Sequence, residues 1–244
     1  DHELTALQIL AGDMPLPITI NGLKRRDINA AKNGLIRFLK EVPLEELARW
    51  TLNVPRDPEF DEDDDGVMLK SETDRKVYLH YRPDLKTLLQ EHRSIEITDW
   101  QCKWFKSCNR IRTACMNYLY EFARQMDIQQ PGYDFEARAR ENATQHVVRV
   151  LNYVPREGII AKPHTDRCAI TFHLAESASG LCAYRGFERV PCATPPTPGA
   201  LCFTGQQLER ITHGAIPAVY HEVEDNTPDK PRWAIVFFGK MRPK

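Results

Sequence analysis

Hydrophobic residues follow two different patterns in the two halves of the chain. In the first half they recur at three- and four-residue steps, which is the spacing of one face of an α-helix. After a short extended segment at 17–20, this spacing predicts helices over about 29–40 and 44–50 and a long helix from Thr98 onward. Thr98 and Gln101 have the pattern of a capping box. The predicted packing face of the long helix consists of Trp104, Cys108, Ile111, Cys115, Leu119, Phe122 and Met126.

The pattern changes near Gln145, where short apolar or alternating runs are separated by proline and glycine. These runs predict strands over 147–154, 169–174, 200–203, 218–223 and 234–238. Several short strands in series, with no helical pattern between them, are typical of an antiparallel barrel or jelly roll. We therefore expect an α+β fold, a double-stranded β-helix (jelly roll) with an N-terminal helical layer packed against it. A length of 244 residues favours one domain over 1–244, with 1–145 as a mainly helical supporting region and 146–244 as the jelly-roll core.

The composition of the chain mainly excludes classes of partner and of cysteine chemistry. With 42% hydrophobic residues, 27% charged residues and a formal net charge of -1, the chain has an ordinary soluble composition, and we expect no nucleic-acid partner. It has no apolar run near the roughly 20 residues of a membrane span and no signal-peptide pattern, which predicts a cytoplasmic protein without a membrane partner. The seven cysteines are odd in number and form no CxxC pair, so we expect most of them to be core residues.

The segment around His164 and Asp166 carries the first sign of chemistry. These two residues alternate along an extended segment, so their side chains lie on the same side of it. Two histidines and one carboxylate form the ligand set of non-haem Fe(II) oxygenases, and this set leaves metal positions open for substrate, co-substrate and O2. The pair alone is a weak signal in a chain with eight histidines, and a third ligand has to come from a later strand.

The order of motifs from Asn152 onward resembles the isopenicillin N synthase-like branch of the 2-oxoglutarate/Fe(II)-dependent dioxygenase superfamily. The resemblance covers roughly the last hundred residues closely and the earlier part loosely. The matching pieces, in chain order, are Asn152-Tyr153-Val154-Pro155, His164-Thr165-Asp166, Ile170-Thr171, Gly180-Leu181, Phe187 with Val190, Pro198-Gly199-Ala200-Leu201, Gly205 with Leu208, Thr212 with Gly214, His221 with Val223, and Arg232 before Phe237.

This resemblance implies a metal site and a catalytic role. It implies that His164, Asp166 and His221 bind Fe(II), whereas His213 precedes a turn glycine and is not the expected ligand. The implied function is oxidation of a small-molecule substrate by O2 through hydroxylation, desaturation or cyclisation, with decarboxylation of 2-oxoglutarate to succinate.

The resemblance also implies a co-substrate site. It assigns the far carboxylate of 2-oxoglutarate to Arg232, whose planar guanidinium suits a carboxylate. The family usually has a serine where this chain has Ala234, so either a hydroxyl from Tyr153 or Thr171 completes the site or the co-substrate is held differently. Asn152 is implied as a further polar contact from the same segment as Tyr153.

Three other functions remain open at this stage. Ala234 keeps an Fe(II)/O2 oxidase of the same fold that does not use 2-oxoglutarate as the first alternative. A non-catalytic jelly-roll binding protein is the second, and a zinc hydrolase is the third, because His-Asp-His can also hold zinc. The sequence names no substrate, and candidate lining residues are Tyr78, His80, Tyr81, Arg167 and Tyr184.

A second motif matches the EF-hand calcium loop. Its residues are Asp61, Asp63, Asp65, Gly66 and Glu72. Pro55 and Pro58 occupy the place of the helix that must run into such a loop. We therefore expect a solvated acidic loop at the edge of a lid, and whether it binds calcium stays open.

Overall fold

The computed structural model of the protein describes residues 2–12, 14–54, 64–70, 76–155, 157–225, 227 and 229–242. Its α-helices are α1 (His2–Leu10), α2 (Arg25–Glu41), α3 (Leu85–Arg93), α4 (Asp99–Gln129), α5 (Phe135–Glu141) and α6 (Gln206–Ile211), and a 3-10 helix spans Leu44–Trp50. Within the described residues, no helix combines the length and apolar character that a membrane span requires.

The strands form two antiparallel sheets. Their bounds are β1 (Leu16–Thr19), β2 (Thr51–Asn53), β3 (Asp64–Lys70), β4 (Lys76–Tyr81), β5 (Val147–Tyr153), β6 (Gly158–His164), β7 (Ile170–Glu176), β8 (Leu181–Arg185), β9 (Glu188–Pro191), β10 (Gly199–Thr204), β11 (His221–Asp225) and β12 (Arg232–Gly239). The larger sheet has the order β1-β10-β7-β12-β5-β4-β3-β2, and the smaller sheet has the order β6-β11-β8-β9. This α+β arrangement of antiparallel sheets and helices confirms the predicted jelly-roll class, although the sheets face each other without closing.

The long helix agrees with its sequence pattern. The Thr98 hydroxyl accepts a hydrogen bond from the backbone N–H of Gln101 at 3.5 Å, and the Gln101 side chain accepts one from the Thr98 N–H at 2.9 Å. The predicted stripe of α4 is buried throughout. Because this helix satisfies its own first N–H groups and buries one continuous face, local sequence was enough to predict it.

Several strands were not anticipated, namely β2, β3, β4, β6, β8 and β9. Strands β3 and β4 carry charged residues that conceal an apolar pattern, yet most of their side chains are buried. Asp65, for example, is fully buried on β3 and forms an ion pair with Arg82. Because Asp65 lies on β3 and its carboxylate is paired with Arg82, it is not available as a ligand of a calcium loop. Asp61, Asp63 and Glu72 lie outside the described residues.

The larger sheet has a different environment on each face, and this difference positions the functional site. On its outer face, Phe172 and Phe237 pack under α4, where the rings of Tyr118 and Phe172 have centroids 5.7 Å apart. On its inner face, Leu151 and Val236 pack with residues of β6 in a second, smaller apolar cluster between the sheets. Alternate residues of β5 and β12 therefore point into the space between the two sheets.

Five of the seven cysteines are buried and all seven are free, so most of them lie in the core as predicted.

Candidate metal centre

Three metal-ligating side chains meet at one end of the space between the sheets. His164 is the last residue of β6, and it pairs in register with His221, the first residue of β11. Asp166 follows two residues after His164, as the sequence pattern suggested. One ligand atom from each of the three residues lies within 4.8 Å of the other two. Antiparallel pairing thus brings together two histidines that are far apart in sequence.

Both histidines have a defined tautomer. The Nδ1 atom of His164 lies 2.7 Å from the backbone oxygen of Lys162, and Nδ1 of His221 lies 3.0 Å from that of Val219. A carbonyl oxygen only accepts, so each Nδ1 carries a proton, which leaves Nε2 as the nitrogen of each ring that can bind a metal. The two Nε2 atoms lie 3.6 Å and 3.8 Å from the carboxylate oxygens of Asp166. The Nε2 atoms of the two rings therefore converge on the carboxylate of Asp166.

The charge states of Asp166 and His221 also suit a divalent metal. Burial on its own raises the pKa of Asp166, but His221, His164 and a hydrogen bond from the Thr171 hydroxyl bring it below its usual value. That hydroxyl donates to Oδ2 of Asp166 at 2.6 Å. Burial also lowers the pKa of His221. The result is one carboxylate anion and neutral imidazole, which is the protonation state that metal coordination requires.

Arg232 lies at the start of β12, opposite Tyr153 on β5, and lines the same cavity as the three ligands. Its side chain is almost fully buried, so its charge needs partners. Nη2 donates to the carboxylate of Glu176 at 2.6 Å, and Nη1 donates to the backbone oxygens of Ser179 and Glu224 at 2.7 Å and 3.2 Å. Nε is buried and has no hydrogen-bond partner in the described part of the chain. An N–H group thus remains for a carboxylate, so the site fits 2-oxoglutarate.

The other predicted site residues divide into two groups. Tyr153 and Thr171 line the cavity, although the Thr171 hydroxyl is already committed to Asp166. Asn152 does not line it, because the alternation that turns Tyr153 inward turns Asn152 to the opposite face of β5. We therefore remove Asn152 from the expected co-substrate contacts. His213 is exposed and lies outside the metal cluster.

Four residues of this region with polar or charged side chains were not assigned to the site from the sequence. His173 lines the cavity and hydrogen-bonds with Glu176 at 3.2 Å between Nε2 and the carboxylate. His173 and His164 lie on different strands, because β6 ends at His164 and β7 begins at Ile170. Its position two residues after Thr171 on β7 is the signal that could have placed it on the cavity side of the sheet. The remaining residues are Glu176 itself and two cavity-lining cations, Lys76 and Arg149.

Comparison with known proteins agrees with this geometry. Residues 145–240 match the family model of the 2OG-Fe(II) oxygenase superfamily. No curated protein matches the chain. Among solved structures, a full-length Neurospora crassa protein in complex with alpha-KG and 5-formyluracil has a TM-score of 0.73 at 17% identity, covering 98% of this chain and 78% of that one.

A second solved structure is dioxygenase for auxin oxidation 1 from Arabidopsis thaliana in complex with 2-oxoglutarate. It has a TM-score of 0.73 at 16% identity and covers 100% of this chain and 90% of that one. At these identities the likeness concerns the fold. The three clustered residues and Arg232 all lie within the matched residues 145–240. Residues 145–240 of the chain therefore match the 2OG-Fe(II) oxygenase superfamily, and the likeness of the whole chain to these solved structures is one of fold.

Proposed function

We propose that the protein is a non-haem, 2-oxoglutarate-dependent dioxygenase that oxidises a small-molecule substrate and releases succinate and CO2. The observation that carries the proposal is the convergence of His164, Asp166 and His221 in one cavity with Arg232. When bound, Fe(II) would couple the reduction of O2 and the decarboxylation of 2-oxoglutarate to the oxidation of a substrate C–H bond. The family match makes the protein an oxidoreductase.

The protein's own contribution to this chemistry begins with positioning. His164 and His221 present Nε2 because their Nδ1 protons are held by backbone carbonyls, and Thr171 holds the carboxylate of Asp166. Such outer hydrogen bonds orient metal ligands and adjust their basicity. Three protein ligands also leave other positions of the metal for co-substrate and O2.

Arg232 is the residue that we assign to the far carboxylate of the co-substrate. The burial of Arg232 does not by itself require a bound ligand anion, because the carboxylate of Glu176 already forms an ion pair with it. What supports the assignment is the unpartnered Nε together with the position of Arg232 in the matched family region. We assign a further contact to the hydroxyl of Tyr153, because Tyr153 pairs with Arg232 across β5 and β12 and lines the same cavity.

We also propose that residues 1–244 act as one catalytic domain. Strands β1 to β4 come from the first 145 residues, yet they complete the larger sheet on both sides of the jelly-roll strands. Free cysteines throughout the chain favour a reducing compartment such as the cytoplasm. That the protein binds neither nucleic acid nor membranes stays a prediction.

Anaerobic addition of Fe(II) and then 2-oxoglutarate tests the proposal through the visible charge-transfer band of a keto acid bound to iron. The band is expected in the wild type, absent in His221→Ala, and retained in His213→Ala, since His213 is exposed and lies outside the cluster.

Two other results have distinct meanings. Failure of the wild type to bind iron would refute the metal site. Stoichiometric iron without a band would instead favour the oxidase of the same fold, an alternative that the internal Arg232–Glu176 ion pair supports.

A further inference from the structure

A buried network of charged side chains links Arg232 to a histidine of the central cavity. The carboxylate oxygen Oε2 of Glu176 accepts a hydrogen bond from Nη2 of Arg232 at 2.6 Å and lies 3.2 Å from Nε2 of His173. All three side chains are at most 7% exposed. Because both nitrogens contact the same oxygen, they lie within about 6 Å of each other. An anion bound at Arg232 is therefore close to the His173 ring.

The other ring nitrogen of His173, Nδ1, is available to a ligand. A carboxylate only accepts hydrogen bonds, so Nε2 carries a proton in the contact with Glu176. In the described part of the chain, Nδ1 has no hydrogen-bond partner. His173 lines the central cavity, and its Nδ1 is not enclosed by protein atoms as the unpartnered Nε of Arg232 is. Nδ1 is therefore open to the cavity.

Along β7, His173 lies between the metal ligands and Arg232. Thr171 precedes it by two residues on the same face and holds the carboxylate of Asp166. Glu176 follows it and holds Arg232. Two residues of strand span roughly 7 Å. A 2-oxoglutarate molecule that reaches from the metal to Arg232 therefore passes beside the His173 ring.

The formal charges of Arg232 and Glu176 cancel before any co-substrate binds. The far carboxylate of 2-oxoglutarate would add one negative charge beside this ion pair, and a buried charge without a partner is costly. An imidazole ring with protons on both nitrogens supplies the balancing charge, and its second N–H is a charge-assisted donor. His173 can take this form while its Nε2–H remains bonded to Glu176.

We propose that His173 binds the co-substrate, with its Nδ1–H donating to the far carboxylate of 2-oxoglutarate beside Arg232. In the complex the imidazolium ring lies between two carboxylates, that of Glu176 and that of the ligand. This inference rests on the proposed function and deepens it. It makes His173 a determinant of the preference for 2-oxoglutarate over 2-oxo acids that lack the far carboxylate.

Anaerobic titration of the Fe(II)-loaded protein tests the inference, with 2-oxoglutarate and 2-oxopentanoate as probes. The second acid has a methyl group in place of the far carboxylate, and the charge-transfer band of a keto acid on iron reports the binding of both. His173→Leu is expected to weaken 2-oxoglutarate binding about 10- to 100-fold, the range for a hydrogen bond to a charged group, and to leave 2-oxopentanoate binding unchanged. His213→Asn, which alters an exposed histidine outside the cavity, should behave as the wild type.

Two further variants separate contact with the ligand from support of Glu176. The amide nitrogen of asparagine is bonded to Cγ, as Nδ1 of histidine is, whereas that of glutamine lies one bond farther out, near the position of Nε2. His173→Asn should therefore keep a donor for the ligand and retain part of the preference for 2-oxoglutarate. His173→Gln should reach Glu176 but not the ligand, and lose the preference as His173→Leu does. Equal behaviour of the two variants, or the opposite order, would overturn the inference.

The wild type separates failure of this inference from failure of the proposed function. Absence of the band with both acids would refute the proposed function. With the band present, equal affinity of the wild type for the two acids would overturn the role of His173. A preference for 2-oxoglutarate that survives in His173→Leu would also overturn it, and would assign the far carboxylate to other residues of the cavity.

Discussion

The hydroxyl of Thr171 offers a direct test of how the metal ligands are positioned. It donates to Oδ2 of Asp166 at 2.6 Å, and Thr171 is almost fully buried on β7. Thr171→Val keeps the shape of the side chain but removes this donor. A hydrogen bond to a charged group contributes about 1.5–3 kcal/mol, and loss of an outer partner of a metal ligand typically weakens metal binding about 10- to 100-fold. We therefore expect Fe(II) affinity to fall about 10- to 100-fold in Thr171→Val.

Anaerobic Fe(II) titration of the purified variants measures this effect. Thr171→Ser keeps the hydroxyl and should retain affinity within a few-fold of the wild type. Thr204→Val is a matched control, because Thr204 is equally buried and donates to the backbone oxygen of Pro217 at 2.6 Å, outside the metal cluster. It should lose stability but not metal affinity. Equal Fe(II) affinity in Thr171→Val and the wild type would refute the role assigned to this hydroxyl.

Two further predictions concern stability. Burial, reinforced by the charge of Arg112, lowers the pKa of His146 to about 3. The unfolded chain binds this proton near pH 6.5, whereas the folded chain does not. The free energy of unfolding therefore falls as the pH drops from 6.5 towards 3, by about 3 kcal/mol at pH 4.5. Urea unfolding at pH 7 and pH 4.5 should show this loss in the wild type beyond that in His146→Gln, and equal losses would contradict it. Gly180→Ala places a Cβ 2.7 Å from Nη1 of Arg232 and against the backbone oxygen of Glu224, whereas Gly132, also at positive φ, has open space around it. In thermal unfolding, Gly180→Ala should therefore lower the free energy of unfolding by about 1–3 kcal/mol more than Gly132→Ala does. It should also weaken 2-oxoglutarate binding. Equal losses in the two variants would refute the close approach of Gly180 to Arg232 and Glu224.

Local features of this protein could be predicted from its sequence. The capping box of Thr98 and Gln101 and the buried face of α4 follow from neighbouring residues, since a helix satisfies its hydrogen bonds within itself. The proximity of His164 and Asp166 follows in the same way, because two residues of extended chain separate alternate side chains by a short, fixed distance. The choice of His221 over His213 needed the order of motifs, and the structure places His221 alone of the two in the cluster.

Relations between distant segments required the tertiary structure. The register of β6 with β11 brings His221 to His164, and the pairing of β12 with β7 brings Arg232 near Glu176, which gives the arginine an internal anion that no sequence pattern indicated. Likewise, Asp65 fits a calcium motif in sequence but forms an ion pair with Arg82 in the fold. The sequence by itself determined which groups could bind a metal. Only the tertiary structure decided which partner each charged group meets, because strand order and register arise from packing of the whole sheet.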